Sequence, residues 1–222
     1  MQEKRRAAWK ARVGVFMDIR VLNKSDRMIK FVVEDIDAAL ANAVRRIAMN
    51  EVPTMAIEHV DFTENTSGLF DEVLAHRLGL IPLEFSKKFN MRKDCKCTKG
   101  CSNCQVEFSI DKVGPCIVKA GDLVSSEDDV KPADADIPAV ELLDGQKLKA
   151  ECIAELNTGK EHAKWQAAVV GYSISGKNPE HGNFTFIIES VSGLTAARIL
   201  DKALEILDEK ADEFIKAVKK EL

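Results

Sequence analysis

The chain has 222 residues, of which 45% are hydrophobic and 31% charged, with a formal net charge of −4. That is ordinary globular composition, long enough for one large domain or two small ones to bury a core without staples. Its apolar runs are a few residues long, against the roughly 20 that a membrane span needs. The acidic balance argues against an extended nucleic-acid surface.

The N-terminus is basic (Lys4, Arg5, Arg6, Lys10, Arg12) but lacks the apolar core of a signal peptide, so a cytoplasmic chain with a solvated tail is expected. Val13, Val15, Met17, Ile19 and Val21 alternate at the period of a half-buried strand. Asn23-Lys24-Ser25-Asp26 supplies a turn, and Ile29, Phe31 and Val33 resume the alternation as a hairpin. Asp37 can cap a helix whose apolar face is Leu40, Val44 and Ile47. Pro53 ends it, because proline disfavours helical geometry in the residue before it. A strand over 54–62 follows. Thr66 or Ser67 then caps a second helix with Leu74, Leu78 and Ile81 near one face, closed by Gly79 and Pro82.

Beyond Phe85 the sequence is polar and cysteine-rich to about residue 104, and Val106, Phe108 and Ile110 alternate as a strand. The acidic stretch 120–138, with Gly121, Pro132 and Pro138, predicts a turn-rich connector. Strands are expected over 147–156, 169–174 and 184–188. From Thr195 to Leu222 there is neither glycine nor proline. Leu200, Leu204, Leu207, Ala211, Phe214 and Val218 recur at spacings of four and three, a heptad-like seam on a helix of about seven turns. Ile199, Ala203, Ile206 and Ile215 widen it. Such a helix needs apolar cover, from this chain's own sheet, from another subunit, or from both. Residues 1–52 and 170–222 carry the long strands and helices. Residues 53–169 carry the cysteines, most prolines and the acidic loop. That division predicts a discontinuous domain with a second domain inserted into it.

Cys95, Cys97, Cys101 and Cys104 form C-x-C-x3-C-x2-C. Four thiolates this close can hold one tetrahedral ion and leave no open catalytic position. Lys93, Arg92, Lys96 and Lys99 would offset the charge of a tetrathiolate. Zinc is favoured over an iron–sulfur cluster, because the ferredoxin spacing C-x2-C-x2-C-x3-C-P is missing. Cys116 and Cys152 read as small buried apolar residues.

Catalytic candidates are weak. His59, His76, His162 and His181 have no HxxxH partner and read as structural or solvated. Ser67 and Ser192 sit in no nucleophile elbow. Gly171, Gly176 and Gly182 are too far apart for a phosphate loop. Asp134 and Asp136 form D-x-D in a stretch where solvated charge is the default.

The segments NAVRRIAMNEVPTMAIEHVDFTENTS (42–67) and DEVLAHRLGLIPL (71–83) resemble the D subunit of archaeal DNA-directed RNA polymerase. That family is similar to the third-largest subunit of eukaryotic RNA polymerase II and to the N-terminal domain of bacterial alpha. The resemblance continues through GKEHAKWQ (159–166) and FTFIIES (184–190), covering about residues 13–222. It implies an α+β fold: a discontinuous dimerisation domain, here 1–52 and 170–222, with an inserted, mostly β domain at 53–169. It implies a non-catalytic scaffold of the DNA-directed RNA polymerase, pairing with subunit L through Leu200, Leu204, Leu207, Ala211, Phe214 and Val218. Subunits N and P, then the second-largest and largest subunits, would join that platform, and DNA would be met only through the assembled enzyme. The family's N-x-x-R-R motif maps to Asn42, Arg45 and Arg46, expected at the large-subunit interface. Many archaeal relatives carry an iron–sulfur insertion after the motif corresponding to KWQ. Here 167–183 runs to FTF without a cysteine, and the quartet at 95–104 resembles the zinc site of the eukaryotic counterpart.

A rival reading is a free-standing zinc protein, such as a thiol-based sensor or a small enzyme. It predicts a stable monomer with an open metal position or a reactive thiol.

Overall fold

A computed structural model describes residues 18–86, 88–176 and 181–221. Twelve strands occur among them: β1 (Ile19–Lys24), β2 (Met28–Asp37), β3 (Thr54–Asn65), β4 (Leu83–Phe85), β5 (Gln105–Val113), β6 (Cys116–Lys119), β7 (Val124–Ser125), β8 (Val130–Pro132), β9 (Pro138–Leu142), β10 (Lys147–Asn157), β11 (Ala168–Ser175) and β12 (His181–Ser190). Three α-helices join them: α1 (Ala38–Asn50), α2 (Asp71–Gly79) and α3 (Ala196–Glu221). The strands form antiparallel sheets ordered β1-β2-β12-β11, β7-β5-β10-β3-β4-β8 and β6-β9. The fold is α+β, with a largely β unit between the two ends of the chain.

Local sequence explains most of these elements. Ser25 closes the first hairpin, its N–H donating to Met28 O and its hydroxyl oxygen accepting from Met28 N. Ile29, Phe31 and Val33 are buried, as their alternation predicts, and Phe31 stacks on Phe186 with ring centroids 5.1 Å apart. The expected alternation in β1 meets a different outcome. Val13, Val15 and Met17 lie outside the described residues. Ile19 and Val21 stand opposite Val33 and Phe31, so they share the core-facing side, yet both are more than half exposed. The reason is position. β1 is the sheet edge, and the helices pack mainly on β2, β11 and β12.

The Asp37 carboxylate accepts the Ala39 N–H at 2.6 Å, capping α1 as expected. The buried line of that helix is rotated, however. Ala41, Ile47 and Ala48 are buried, whereas Leu40 and Val44 are half-buried. α1 packs against α3 and against β11. The second helix also departs from expectation. Neither Thr66 nor Ser67 caps it: α2 begins at Asp71 without a side-chain cap. Thr66 Oγ1 instead accepts from Lys147 N, and Ser67 Oγ donates to Asn65 Oδ1, in the turn that ends β3. Leu74, Leu78 and Ile81 are buried. The acidic connector is more ordered than its composition suggests, since β7 and β8 are short edge additions to the six-stranded sheet.

Two hydrophobic cores result. One lies between the four-stranded sheet and the helices α1 and α3 (Phe31, Phe184, Phe186, Ile47, Ile199). The other fills the six-stranded sheet and α2 (Ile57, Leu74, Phe108, Leu148). Phe85 touches both. Beside it, the loop after β12 comes so close that a Cβ on Gly193 would stand 2.0 Å from Leu83 O. Gly193→Ala must therefore displace backbone at the junction of the cores, at an expected cost of about 2–3 kcal/mol. A urea unfolding curve checks this, and an unchanged midpoint would contradict the close approach.

Candidate metal centre and partner-facing surfaces

The four clustered cysteines occupy the segment between β4 and β5. Cys104 immediately precedes β5 and is buried. Cys101 O accepts the N–H groups of Cys104 and Gln105, both at 2.9 Å, so the second pair is held by a tight turn. The Arg92 guanidinium holds the first pair, donating to Cys97 O at 3.2 Å, Thr98 O at 2.8 Å and Cys97 Sγ at 3.5 Å. Gly100, with φ +104, makes a left-handed bend between the pairs that other residues rarely adopt. The loop is pinned to the sheet by Gln105 Nε2 donating to Glu155 Oε1 at 2.6 Å on β10.

The sulfurs converge. Cys95–Cys101, Cys97–Cys104 and Cys101–Cys104 are 3.7, 3.5 and 3.8 Å apart, and all four sulfurs lie within 4.8 Å of one another. No disulfide joins them. A zinc–sulfur distance of about 2.3 Å gives a tetrahedron edge of about 3.8 Å, which the observed separations approach. Hydrogen bonds from the Cys97 backbone and thiol bring the Cys95 thiol down to about 7, whereas burial pushes Cys104 up to about 12. A bound cation favours the thiolate at each position. The quartet can hold a metal ion through four sulfur ligands, a closed shell.

The other cysteines divide. Cys152 is fully buried in β10, and burial pushes its thiol up to about 11, as suits an inert core residue. Cys116, at the start of β6, is only half-buried, packed against the edge of the larger core with its Sγ 3.7 Å from Val113 O. The expectation of a buried residue there is corrected.

On α1, Arg45 Nε and Nη2 donate to Asn42 Oδ1 at 3.2 and 3.0 Å, and Nη1 lies 3.4 Å from Met49 Sδ. Asn42 and Arg45 are thus tied together, half-buried, while Arg46 is exposed. On α3 the heptad-like seam splits. Ala196, Ile199 and Ala203 are buried, and Leu200, Ile206 and Leu207 are half-buried. Leu204, Ala211, Ile215 and Val218 are exposed, and Phe214 is 71% exposed. The N-terminal half of the helix, as far as Leu207, covers this chain's own core, and residues 208–221 are exposed.

Sequence reading missed that Ile19 and Val21 are left exposed on the edge strand β1. Their shared parity with the core positions of β2 was the available signal. The GKEHAKWQ segment proves to be a structural lock. Lys164 Nζ donates to Ile57 O at 3.0 Å, pairs with Glu58, and lies 4.4 Å over the Trp165 ring. Trp165 Nε1 donates to Glu155 O, Thr54 Oγ1 donates to Trp165 O, and His162 Nδ1 accepts from Lys164 N. His162 therefore has a turn-forming role. His59 and His76 are exposed, and His181 begins β12.

Comparison with known proteins gives a consistent picture. The family described as the RNA polymerase Rpb3/RpoA insert domain matches residues 55–171. The DNA-directed RNA polymerase subunit Rpo3 of Archaeoglobus fulgidus is 34% identical, over 90% of this chain and 97% of its own length. Subunit Rpo3 of Methanothermobacter thermautotrophicus is 47% identical over 68% of this chain, and that of Thermococcus kodakarensis 43% identical over 70%. These two matches span only 58% and 59% of the relatives' own lengths.

Proposed function

We propose a scaffolding role from one premise: the chain belongs to the Rpo3 family of DNA-directed RNA polymerase subunits. In this reading it is a non-catalytic assembly subunit, and the nucleotidyl transfer is carried out on other chains of the enzyme. The carrying observation is the projecting part of α3, where Leu204, Phe214, Ile215 and Val218 stand exposed. Apolar surface arranged this way marks a place where another protein docks. Subunit L is the proposed occupant, along Leu200, Leu204, Leu207, Ala211, Phe214 and Val218. The heterodimer would then receive subunits N and P and the two large subunits. Arg45 and Arg46 are proposed to meet the large subunits, since a guanidinium fork suits carboxylates and carbonyls at an interface. Asn42 would hold Arg45 ready for that contact.

The two cores support a division into a dimerisation domain (1–52 and 170–222) and an inserted domain (53–169). Zinc is the proposed ion at Cys95, Cys97, Cys101 and Cys104. An iron–sulfur cluster spreads its thiolates over several iron atoms, whereas these four sulfurs surround one point. The ion would act by fixing the loop between β4 and β5, and a filled sulfur shell leaves no position for substrate. That closed shell disfavours the alternative of a free-standing zinc enzyme or sensor. No helix among the described residues is long and apolar enough to cross a membrane, and a cytoplasmic location fits the proposed role. The test is assembly itself: the tagged chain, recovered from the cells that make it, should bring the other polymerase subunits with it.

A further inference from the structure

The last buried side chain of α3 is Ala203, and Ile206 and Leu207 are half-buried. Residues 208–221 are exposed. Among the described residues, one ion pair ties this half of the helix to the rest of the molecule. Lys210 Nζ lies 2.7 Å from Glu51 Oε1 and 2.5 Å from Oε2. Lys160 Nζ reaches the same carboxylate at 3.1 Å. The Glu51 side chain is only 18% exposed, so the pairing is partly shielded from water.

The backbone around Glu51 is fixed as well. Its N–H donates to Ile47 O at the end of α1, and Lys160 N donates to Asn50 O. A Cβ on Gly159 would stand 3.0 Å from Met49 O, so the loop leaving β10 sits tightly against the same turn. One carboxylate thus joins three segments: the end of α1, the loop leaving the inserted unit, and the projecting helix. Burial pushes the Glu51 carboxyl up, but the hydrogen bonds from Lys210 and Lys160 outweigh it and hold it below the usual range. The brace is therefore charged at neutral pH. It weakens only as pH falls through that lowered value.

We propose that Glu51 is a positioning residue for assembly: it fixes the direction in which α3 leaves the body, and so the face offered to the partner subunit. This rests on the reading of α3 as the partner-binding helix. Fourteen residues of uncovered helix gain little order from their own hydrogen bonds. A helix held in its bound direction gives up less freedom on docking than one that swings.

The test uses the full chain and subunit L, with Glu51→Gln, Lys210→Gln and the exchanged set E51K/K160Q/K210E. Lys210 is exposed, so its replacement leaves the core untouched. Each single change should raise the Kd for subunit L by about fivefold, roughly 1 kcal/mol. Each should also speed amide exchange over residues 208–217 in the free chain. The exchanged set should recover both: carboxylate and ammonium trade places, and Lys160→Gln removes the second ammonium that would otherwise face the one placed at position 51. Unchanged affinity in the single variants, or no recovery in the exchanged set, overturns the brace. Leu207→Asp serves as the separate control: if it also leaves binding intact, the assignment of α3 as the docking helix is what fails.

Discussion

Phe214→Asp is expected to abolish pairing with subunit L while leaving the chain folded. In the chain alone Phe214 is 71% exposed, so a carboxylate there meets water and disturbs no packing. In the heterodimer the same carboxylate would be buried without a partner, at a cost of several kcal/mol. A cost of about 4 kcal/mol weakens Kd roughly a thousandfold, enough to lose a complex during purification. Leu207→Asp should act in the same direction with a second effect. Leu207 is half-buried and packs against the core of this chain, so its replacement also loosens the root of α3. Co-purification with subunit L reads both variants. Stoichiometric recovery of L with Phe214→Asp would mean that the projecting face is not the interface.

The second large effect is expected at the cysteines. The wild-type chain should carry one zinc, and Cys104→Ser should lose it. Serine supplies no thiolate, and the buried position of Cys104 at the root of β5 leaves no room for a substitute ligand from solvent. Structural zinc in small domains contributes about 10–16 kcal/mol of apparent binding free energy, so loss of the ion should melt the loop that it closes. The damage should stop near residue 105. From there, Val106, Phe108 and Ile110 are buried in the six-stranded sheet and paired along β10. Metal analysis and the visible spectrum check this. A brown protein with acid-labile sulfide, or a wild-type chain without metal, would contradict zinc.

These expectations draw unequally on sequence and structure. The quartet was legible because ligation needs few residues at short spacing, and spacing survives in a linear chain. The strand β10 was legible because Leu148, Ala150, Cys152, Ala154 and Leu156 all face one core. Features set by distant partners were not. Thr66 has the chemistry of a helix cap, but Lys147, 81 residues away, takes its hydroxyl instead. The face of α1 could not be placed without knowing that the alanines at 41 and 48 would be buried in the core under the four-stranded sheet. Ile19 and Val21 have the pattern of a half-buried strand, and only the order of strands in the sheet shows that none of the described residues covers them. The Glu51 brace joins residues 159 apart and has no local signature. The seam on α3 is the intermediate case. Its periodicity fixes which residues form a line, but only the fold divides that line into a part for the chain's own core and a part left uncovered.

The central claim is that this chain is a platform on which a polymerase assembles. The most direct test is to recover the tagged chain from an extract of its own cells and identify what accompanies it in stoichiometric amounts. Subunit L together with the largest and second-largest polymerase subunits should be retained by the wild-type chain and lost with Phe214→Asp. A chain recovered alone, as a stable monomer free of polymerase subunits, would contradict it.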